Sequence, residues 1–283
     1  MQSGSLEQQT LSGLFTLEGA GIHSGKWGRV TVHPAEPDTG RVFRVGPVSI
    51  PAHVSSVIDT ERCTTLGAEG ARVSTVEHLL SALHGCGIDN AIIEVSGPEI
   101  PILDGSARPF VEAILAAGIC SQGRLPRRLR LHEPVEIGEG GSLLTAAQAD
   151  GCTLEVTTTF DGWPEGNATL RARLDSEDTA RYGAEIAPAR TFAFRQEVEA
   201  LLAAGLAQGG SLENALIITP PDGFSTPLRL PSEWCAHKLL DLIGDLALLD
   251  ARLDMKLTAV RPGHRINVRF AQTLLQSGQI QKE

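Results

Sequence analysis

Two helix-forming stretches, far apart in the chain, each carry a histidine next to acidic residues, and they constrain the fold more than any other feature. The first contains the adjacent pair Glu77 and His78, and Gly85 is placed to end it. The second has His237 and Asp241 four residues apart, on one face of one helix. If the helices meet, two imidazoles and a carboxylate come together, which is the ligand set of an open catalytic zinc site. The sequence therefore predicts a zinc-dependent amide hydrolase.

Glu77 has two interpretations. As an unligated carboxylate beside a zinc ligand, it has the position of the general base of a zinc hydrolase. Together with Ser74 it also matches the S-x-x-E capping box, in which the serine caps the helix and the glutamate folds back on the helix start. The segment taken alone favours the capping box, and the sequence leaves both interpretations open.

The second helix carries polar residues at a regular spacing. Residues 233–249 are mostly apolar. Within them, His237, Asp241 and Asp245 recur at every fourth position. A row of polar residues is unfavourable in a hydrophobic core, but it can present ligands to a metal ion. The alternative is that the row is the solvent-exposed face of an amphipathic helix. Cys235 lies two residues from His237 and points to roughly the opposite face, so we do not expect it to be a ligand.

Composition limits the class of protein. The 283 residues, 42% of them hydrophobic, suffice for one large domain or two of ordinary size. A net charge of −10 and a pI near 5.3 argue against a nucleic-acid partner. Five scattered cysteines without a C-x-x-C pair favour a reducing compartment. There is no signal-peptide pattern and no apolar run of membrane-spanning length, so we expect a cytoplasmic location.

The order of strand and helix patterns predicts an α+β protein. Strands precede the first histidine-bearing helix, a buried strand at 91–95 follows it, and a similar order recurs around the second helix. This recurrence suggests an internal duplication. The polar stretch 121–128 contains Gly and Pro and is the expected linker. We therefore predict an N-terminal domain at 1–122 and a C-terminal domain at 129–283.

Three other segments have local signatures. Residues 190–218 are typical of an apolar strand–helix–strand unit with few charges. Gly19–Gly25 is a glycine-rich turn that lacks the spacing of a nucleotide-binding loop, so a hairpin is expected and a nucleotide-binding module is the least favoured alternative. The C-terminal segment 266–274 fits both strand alternation and helix spacing, and we favour a helix.

A set of short segments spreads over almost the whole chain. They are Gly19–Gly25 (GAGIHSG), Ser74–Leu79 (STVEHL), Gly87–Val95 (GIDNAIIEV), Pro98–Ala107 (PEIPILDGSA), Ala189–Phe192 (ARTF), Gly209–Ser211 (GGS), His237–Leu246 (HKLLDLIGDL) and Gly263–His264. In content and order, the set resembles the UDP-3-O-acyl-N-acetylglucosamine deacetylases, the zinc enzymes of the committed step of lipid A synthesis. The ordered set is far more specific than any single motif.

The resemblance implies a fold, a metal site and a substrate. The fold would be two similar α+β domains, each a layered sandwich of sheet and helices, packed face to face with the active site between them. His78, His237 and Asp241 would bind zinc, although Fe(II) suits the same ligands. The substrate would be an acylated UDP-sugar that loses its N-acetyl group. We also expect a monomer that touches the membrane surface only transiently.

The resemblance also implies the catalytic residues. Glu77 would be the general base and His264 the general acid, with Asp245 orienting His264. Thr191 would donate a hydrogen bond in the active site, and Lys238 would help to bind the substrate.

The same resemblance assigns the apolar segment at about 190–218 to an insert that lines a passage for the acyl chain. The expected substrate contacts there are Phe192, Phe194, Leu202, Gly210 and Ser211. The chain departs from the family pattern at 220–231 and at Cys235-Ala236, which would alter substrate contacts but leaves every metal-site residue in place.

Two other functions stay open. One is a zinc amidohydrolase that acts on a different acylated amine. The other is a binding or structural protein whose metal is purely structural. A structural site is normally closed by a fourth protein ligand, often a cysteine, and Cys63 or Cys235 would have to supply it.

Overall fold

The computed structural model describes residues 7–174 and 179–282 as an α+β fold, as predicted. The strands are β1 (Gln9–Leu11), β2 (Phe15–Ala20), β3 (Trp27–Pro34), β4 (Arg41–Val45), β5 (Val48–Pro51), β6 (Val57–Asp59), β7 (Thr65–Ala68), β8 (Ala71–Val73), β9 (Ala91–Ser96), β10 (Ile119–Ser121), β11 (Arg127–Leu131), β12 (Val135–Glu139), β13 (Ser142–Gln148), β14 (Cys152–Thr158), β15 (Ala168–Leu174), β16 (Phe192–Phe194), β17 (Leu216–Thr219), β18 (Gly223–Phe224), β19 (Arg252–Val260) and β20 (Gly278–Lys282). The α-helices are α1 (Glu77–Gly85), α2 (Arg108–Ala117), α3 (Thr179–Glu185), α4 (Arg195–Ala203), α5 (Glu233–Leu246) and α6 (His264–Ser277).

Two sheets repeat one topology. In the first, the order is β2-β3-β9-β4-β5, with β9 antiparallel to β3 and parallel to β4. The second contains β12-β13-β19-β14-β15, with β19 antiparallel to β13 and parallel to β14. Helices α1 and α2 flank β9 in the chain just as α5 and α6 flank β19. This correspondence supports the internal duplication that the sequence suggested.

The segment between the two sheets lies within the expected linker 121–128, whose ends, Ser121 and Arg127–Arg128, are strand residues. β10 pairs with β1, whereas β11 pairs with the first residues of β19 in the second sheet. Residues 122–126 therefore connect the two units, and the domain bounds 1–122 and 129–283 stay a prediction. The C-terminal helix is confirmed as α6, but it is followed by β20, an edge strand paired with β11 that the ambiguous tail pattern did not predict.

The hairpin and the strand–helix–strand insert are also confirmed. β2 and β3 pair antiparallel across the glycine-rich turn, so a strand and not a helix follows it. In the insert, β16 and β17 pair parallel and α4 connects them. Across residues 7–174 and 179–282, none of the helices combines the length and the apolar character needed to cross a membrane.

Helices α1 and α5 pack directly against each other and join the two units. All but one residue of each is buried, and their apolar residues belong to one hydrophobic core that includes residues from both sheets. The two helices approach closely at Gly244 of α5, where an added Cβ would lie 2.1 Å from the carbonyl oxygen of Glu77. A glycine at this position lets the two histidine-bearing helices touch.

We expect Gly244→Ala to lower the free energy of unfolding by about 1–3 kcal/mol, because the added methyl group overlaps the backbone of α1. The matched control is Gly183→Ala in α3, where the new Cβ would meet only Val111 at an ordinary 3.6 Å. In the control, the free energy of unfolding should rise by about 0.5–1 kcal/mol, because alanine is more favourable than glycine inside a helix. Denaturant unfolding measures both variants, and a Gly244→Ala protein as stable as the control would contradict the close contact.

Candidate active site

Three buried side chains from α1 and α5 converge where the two helices meet. His237 Nε2 lies 3.3 Å from Asp241 Oδ1, and His78 Nε2 lies 3.8 Å from the same oxygen. Asp241 Oδ1 is buried and has no hydrogen-bond partner among the described residues. A buried carboxylate oxygen left in this way is costly unless a cation balances it. The three residues, whose ligand atoms lie within 4.8 Å of one another, therefore fit a metal ion.

Burial sets the protonation states that metal binding needs. The pKa of His78 is lowered to about 3 by burial and by the neighbouring His237, and burial also lowers the pKa of His237. Both rings are neutral, the form that binds metals. The pKa of Asp241 is lowered as well, since the effect of burial, which opposes ionisation, is outweighed by nearby positive charge, including Lys238 and His264. Nδ1 of His237 donates to the Ala189 carbonyl at 3.1 Å, which leaves Nε2 free for a ligand bond.

The Glu77 carboxylate faces the same cluster. Its Oε2 accepts a hydrogen bond from the Thr64 amide at 3.0 Å, and its Oε1 lies 3.9 Å from His264 Nε2. Burial raises the pKa of Glu77 to about 8, against the opposing effect of His264. A carboxylate with this proton affinity can act as a base near neutral pH.

The capping-box interpretation of Glu77 is wrong. The N-cap of α1 is Val76, and no side chain makes a capping hydrogen bond there. The Ser74 hydroxyl instead accepts a hydrogen bond from Thr65, and the backbone of Ser74 bridges to Glu99. Thr75 has a left-handed backbone (φ 59°), which turns the chain between Ser74 and the helix. Ser74 is therefore outside the helix start, and Glu77 is free to face the metal cluster.

His264, the first residue of α6, lies opposite Glu77. Its Nδ1 donates to Asp245 Oδ2 at 3.0 Å. Asp245 also accepts from Asn267 Nδ2 at 2.9 Å and from the Thr64 hydroxyl at 2.6 Å. The pKa of His264 is raised to about 9, because burial, which opposes the charge, is outweighed by the carboxylates of Asp245 and Glu77. The ring is thus a cation at neutral pH and can give up a proton.

Thr64 and Asn267 are site residues that the sequence reasoning missed. Thr64 holds Glu77 through its amide and Asp245 through its hydroxyl, so one residue connects the carboxylate to the imidazole network. It lies in a loop with no motif, and only the folded chain shows the contact. Asn267 had a signal, because it stands three residues after His264 and so shares its helix face.

A cavity of about 620 Å³ contains the metal cluster and extends along the insert. Val198, Leu201 and Leu202 line it from one face of α4. Of the residues expected to contact substrate, those lining the cavity are Thr191, Phe192, Leu202, Gly210, Ser211 and Lys238. Phe194 is not among the lining residues. The centroid of its ring lies 5.2 Å from the ring centroid of Phe160 and 5.8 Å from that of Trp163.

Several cations line this cavity although the protein is acidic overall. Lys238 Nζ donates to Asp241 Oδ2 at 3.0 Å and lies 5.6 Å from the centre of the Phe192 ring. Arg62, Arg261 and Arg265 contribute further positive charge to the lining. The cavity therefore combines an apolar stretch with several cationic side chains, which suits an amphiphilic anion.

The two cysteines that could close a structural metal site are not among the clustered ligands of the described residues. Cys235 Sγ donates to the carbonyls of Val156 and Ala168, both at 3.5 Å. Cys63 is buried next to Thr65, and burial together with the Glu77 carboxylate raises the pKa of its thiol to about 12. Neither belongs to the metal cluster of the described residues, and the closed-site alternative has no support.

We expect Asp245→Asn to lower the pKa of His264 by more than about 1 unit, because the main charge that opposes the effect of burial is removed. NMR titration of the imidazole in the metal-free protein measures this. The matched control, Asp161→Asn, removes a carboxylate that is 94% exposed and should leave the His264 titration unchanged. If His264 still titrates near pH 9 in Asp245→Asn, Asp245 does not set its charge.

Comparison with known proteins identifies the family of this chain. The family model described as UDP-3-O-acyl N-acetylglycosamine deacetylase matches residues 8–276. The UDP-3-O-acyl-N-acetylglucosamine deacetylase of Anaeromyxobacter sp. (strain Fw109-5) is 44% identical, covering 95% of this chain and 88% of the relative. Its namesakes in Thermosynechococcus vestitus and Myxococcus xanthus are 41% and 39% identical, covering 95% and 97% of this chain and 94% and 88% of the relatives. The chain belongs to the UDP-3-O-acyl-N-acetylglucosamine deacetylase family.

Proposed function

We propose that this protein is a zinc-dependent deacetylase that removes the N-acetyl group from UDP-3-O-(hydroxyacyl)-N-acetylglucosamine, in the committed step of lipid A synthesis. One observation carries the proposal: His78, His237 and Asp241 converge in a cavity that also holds a carboxylate and a protonated imidazole. The names of the relatives support the substrate. The products are acetate and the free 2-amino sugar nucleotide.

The His₂Asp cluster would hold the zinc ion. Three protein ligands leave a coordination position open, as in catalytic and not structural zinc sites. When bound, zinc supplies a Lewis acid that makes a water more acidic and polarises the acetamide carbonyl. The same ligands also suit Fe(II).

Glu77 and His264 divide the proton transfers. Glu77 accepts a proton from the attacking water, and the Thr64 amide holds its carboxylate in place. His264 then donates a proton to the departing nitrogen, because an amine is a poor leaving group unless it is protonated. Asp245 orients the His264 ring and keeps it charged. The Thr191 hydroxyl donates a hydrogen bond to the carbonyl oxygen as negative charge develops there.

The two halves of the substrate would use different parts of the cavity. The diphosphate needs local positive charge, which Lys238, His264 and Arg261 supply within a protein of net charge −10. The hydroxyacyl chain would lie along Phe192 and Leu202 of the insert. Each buried methylene contributes about 0.8 kcal/mol, so the insert can dominate affinity and chain-length preference.

We further propose that the protein acts as a cytoplasmic monomer. Its substrate is amphiphilic, with a charged nucleotide and an acyl chain, and such a molecule partitions to membrane surfaces. Transient contact with the membrane surface would therefore be enough to collect it.

Glu77→Gln should lower kcat by about 10²–10⁴-fold, the usual contribution of general base catalysis, while the metal stays bound. His237→Ala should lose the metal together with the activity. The measurements are acetate release from the acylated UDP-sugar and zinc content per chain. Near-wild-type turnover in Glu77→Gln would leave Glu77 only a structural role, and a full zinc complement in His237→Ala would refute its role as a ligand.

Leu202→Ala should raise KM about fivefold for a long-chain substrate and leave KM for a short-chain analogue unchanged. The half-exposed leucine loses about 1 kcal/mol of contact with the acyl chain, and only the long chain reaches it. Leu14→Ala, an exposed leucine outside the cavity lining, is the control. Equal effects on both substrates would exclude an acyl passage along α4.

A further inference from the structure

Glu233 is a fully buried carboxylate on the metal-binding helix. It is the first residue of α5, and its side chain is 0% exposed. The residue stands one helical turn before His237, so it extends the row of His237, Asp241 and Asp245 by one position. The reaction described above gives it no role.

Four donors surround this carboxylate. Arg190 donates to it through its backbone amide at 3.0 Å, Nε at 2.8 Å and Nη2 at 3.1 Å. The Arg229 amide donates at 2.7 Å. The Arg190 guanidinium also donates to the Thr226 hydroxyl at 2.7 Å and to the Pro227 carbonyl at 2.8 Å. Glu233 thus ties the start of α5 to two other segments of the chain.

Arg190 lies between two residues of the active site. On one side, the Ala189 carbonyl accepts the hydrogen bond from His237 Nδ1. On the other side, Thr191 lines the cavity. Helix α5 therefore holds the 189–191 backbone at two points one turn apart, by Glu233 at the Arg190 amide and by His237 at the Ala189 carbonyl.

We propose that Glu233 is a positioning residue of the metal site, which fixes the Ala189 carbonyl and thereby the ring orientation of His237. The inference rests on the proposed metal-binding role of His237. A buried Glu–Arg pair often stabilises a fold no more than apolar residues of similar volume would. Stability alone is therefore a weak explanation for the presence of the Glu233–Arg190 pair. The group that accepts the second ring proton of a histidine ligand orients it and tunes its metal affinity.

The test is the zinc affinity of Glu233→Gln, measured by competition with a chromophoric chelator well below the unfolding temperature. We expect zinc to bind about 10-fold more weakly than in the wild type, the low end of the effect of losing an outer partner of a ligand, because the variant loosens the Ala189 carbonyl without removing it. Arg190→Lys keeps a cation beside Glu233 but removes the paired hydrogen bonds from Nε and Nη2. This variant should also bind zinc more weakly than the wild type. It carries the test if Glu233→Gln does not fold.

Two controls separate positioning from general destabilisation and from failure of the metal site. Trp234 follows Glu233 in α5, and its Nε1 donates a buried hydrogen bond of 2.8 Å to the Gly166 carbonyl. Trp234→Phe removes this bond, so it should lower the free energy of unfolding but keep wild-type zinc affinity. His237→Ala should lose zinc. Wild-type affinity in Glu233→Gln, or an equal loss in Trp234→Phe, overturns the role of Glu233. Full zinc binding in His237→Ala overturns the proposed metal site itself.

Discussion

The contact between α1 and α5 is the constraint on which the rest of the structure depends. His78 and Glu77 come from one structural repeat, and His237 and Asp241 come from the other. Where the helices touch, at Gly244 and the Glu77 carbonyl, the two imidazoles and the Asp241 carboxylate come together, and Glu77 lines the same cavity. The two helices have corresponding places in the repeated order of elements, with α1 before β9 and α5 before β19.

Helix α5 serves as the scaffold of the site because its buried polar residues recur every fourth position. Glu233 holds the 189–191 segment, His237 and Asp241 face the metal position, and Asp245 holds His264. Each group is buried, and Glu233, His237 and Asp245 each have a hydrogen-bond partner from another part of the chain. The low-dielectric surroundings keep the metal-site imidazoles neutral, whereas paired carboxylates keep His264 charged. One environment thus gives histidines two opposite protonation states.

The sequence predicted those parts of the site that depend on helix periodicity. The spacing of His237, Asp241 and Asp245 placed them on one face, and the same spacing extended by one turn would have found Glu233. The choice between a cap and a base for Glu77 could not be made locally, because it depends on the left-handed turn at Thr75. Contacts made by loops, such as those of Thr64, and the edge pairing of β20 depend on the folded chain and leave no local pattern.

The central claim is that two distant helices supply two imidazoles and one carboxylate to a single ion and leave part of it open. Zinc K-edge X-ray absorption of the zinc-loaded protein tests it most directly, since it resolves the types of ligand and their distances. The account predicts two imidazole nitrogens at about 2.0–2.1 Å, oxygen ligands at about 2.0–2.2 Å and no sulfur. A sulfur ligand at about 2.3 Å, or a shell with one imidazole, would contradict it.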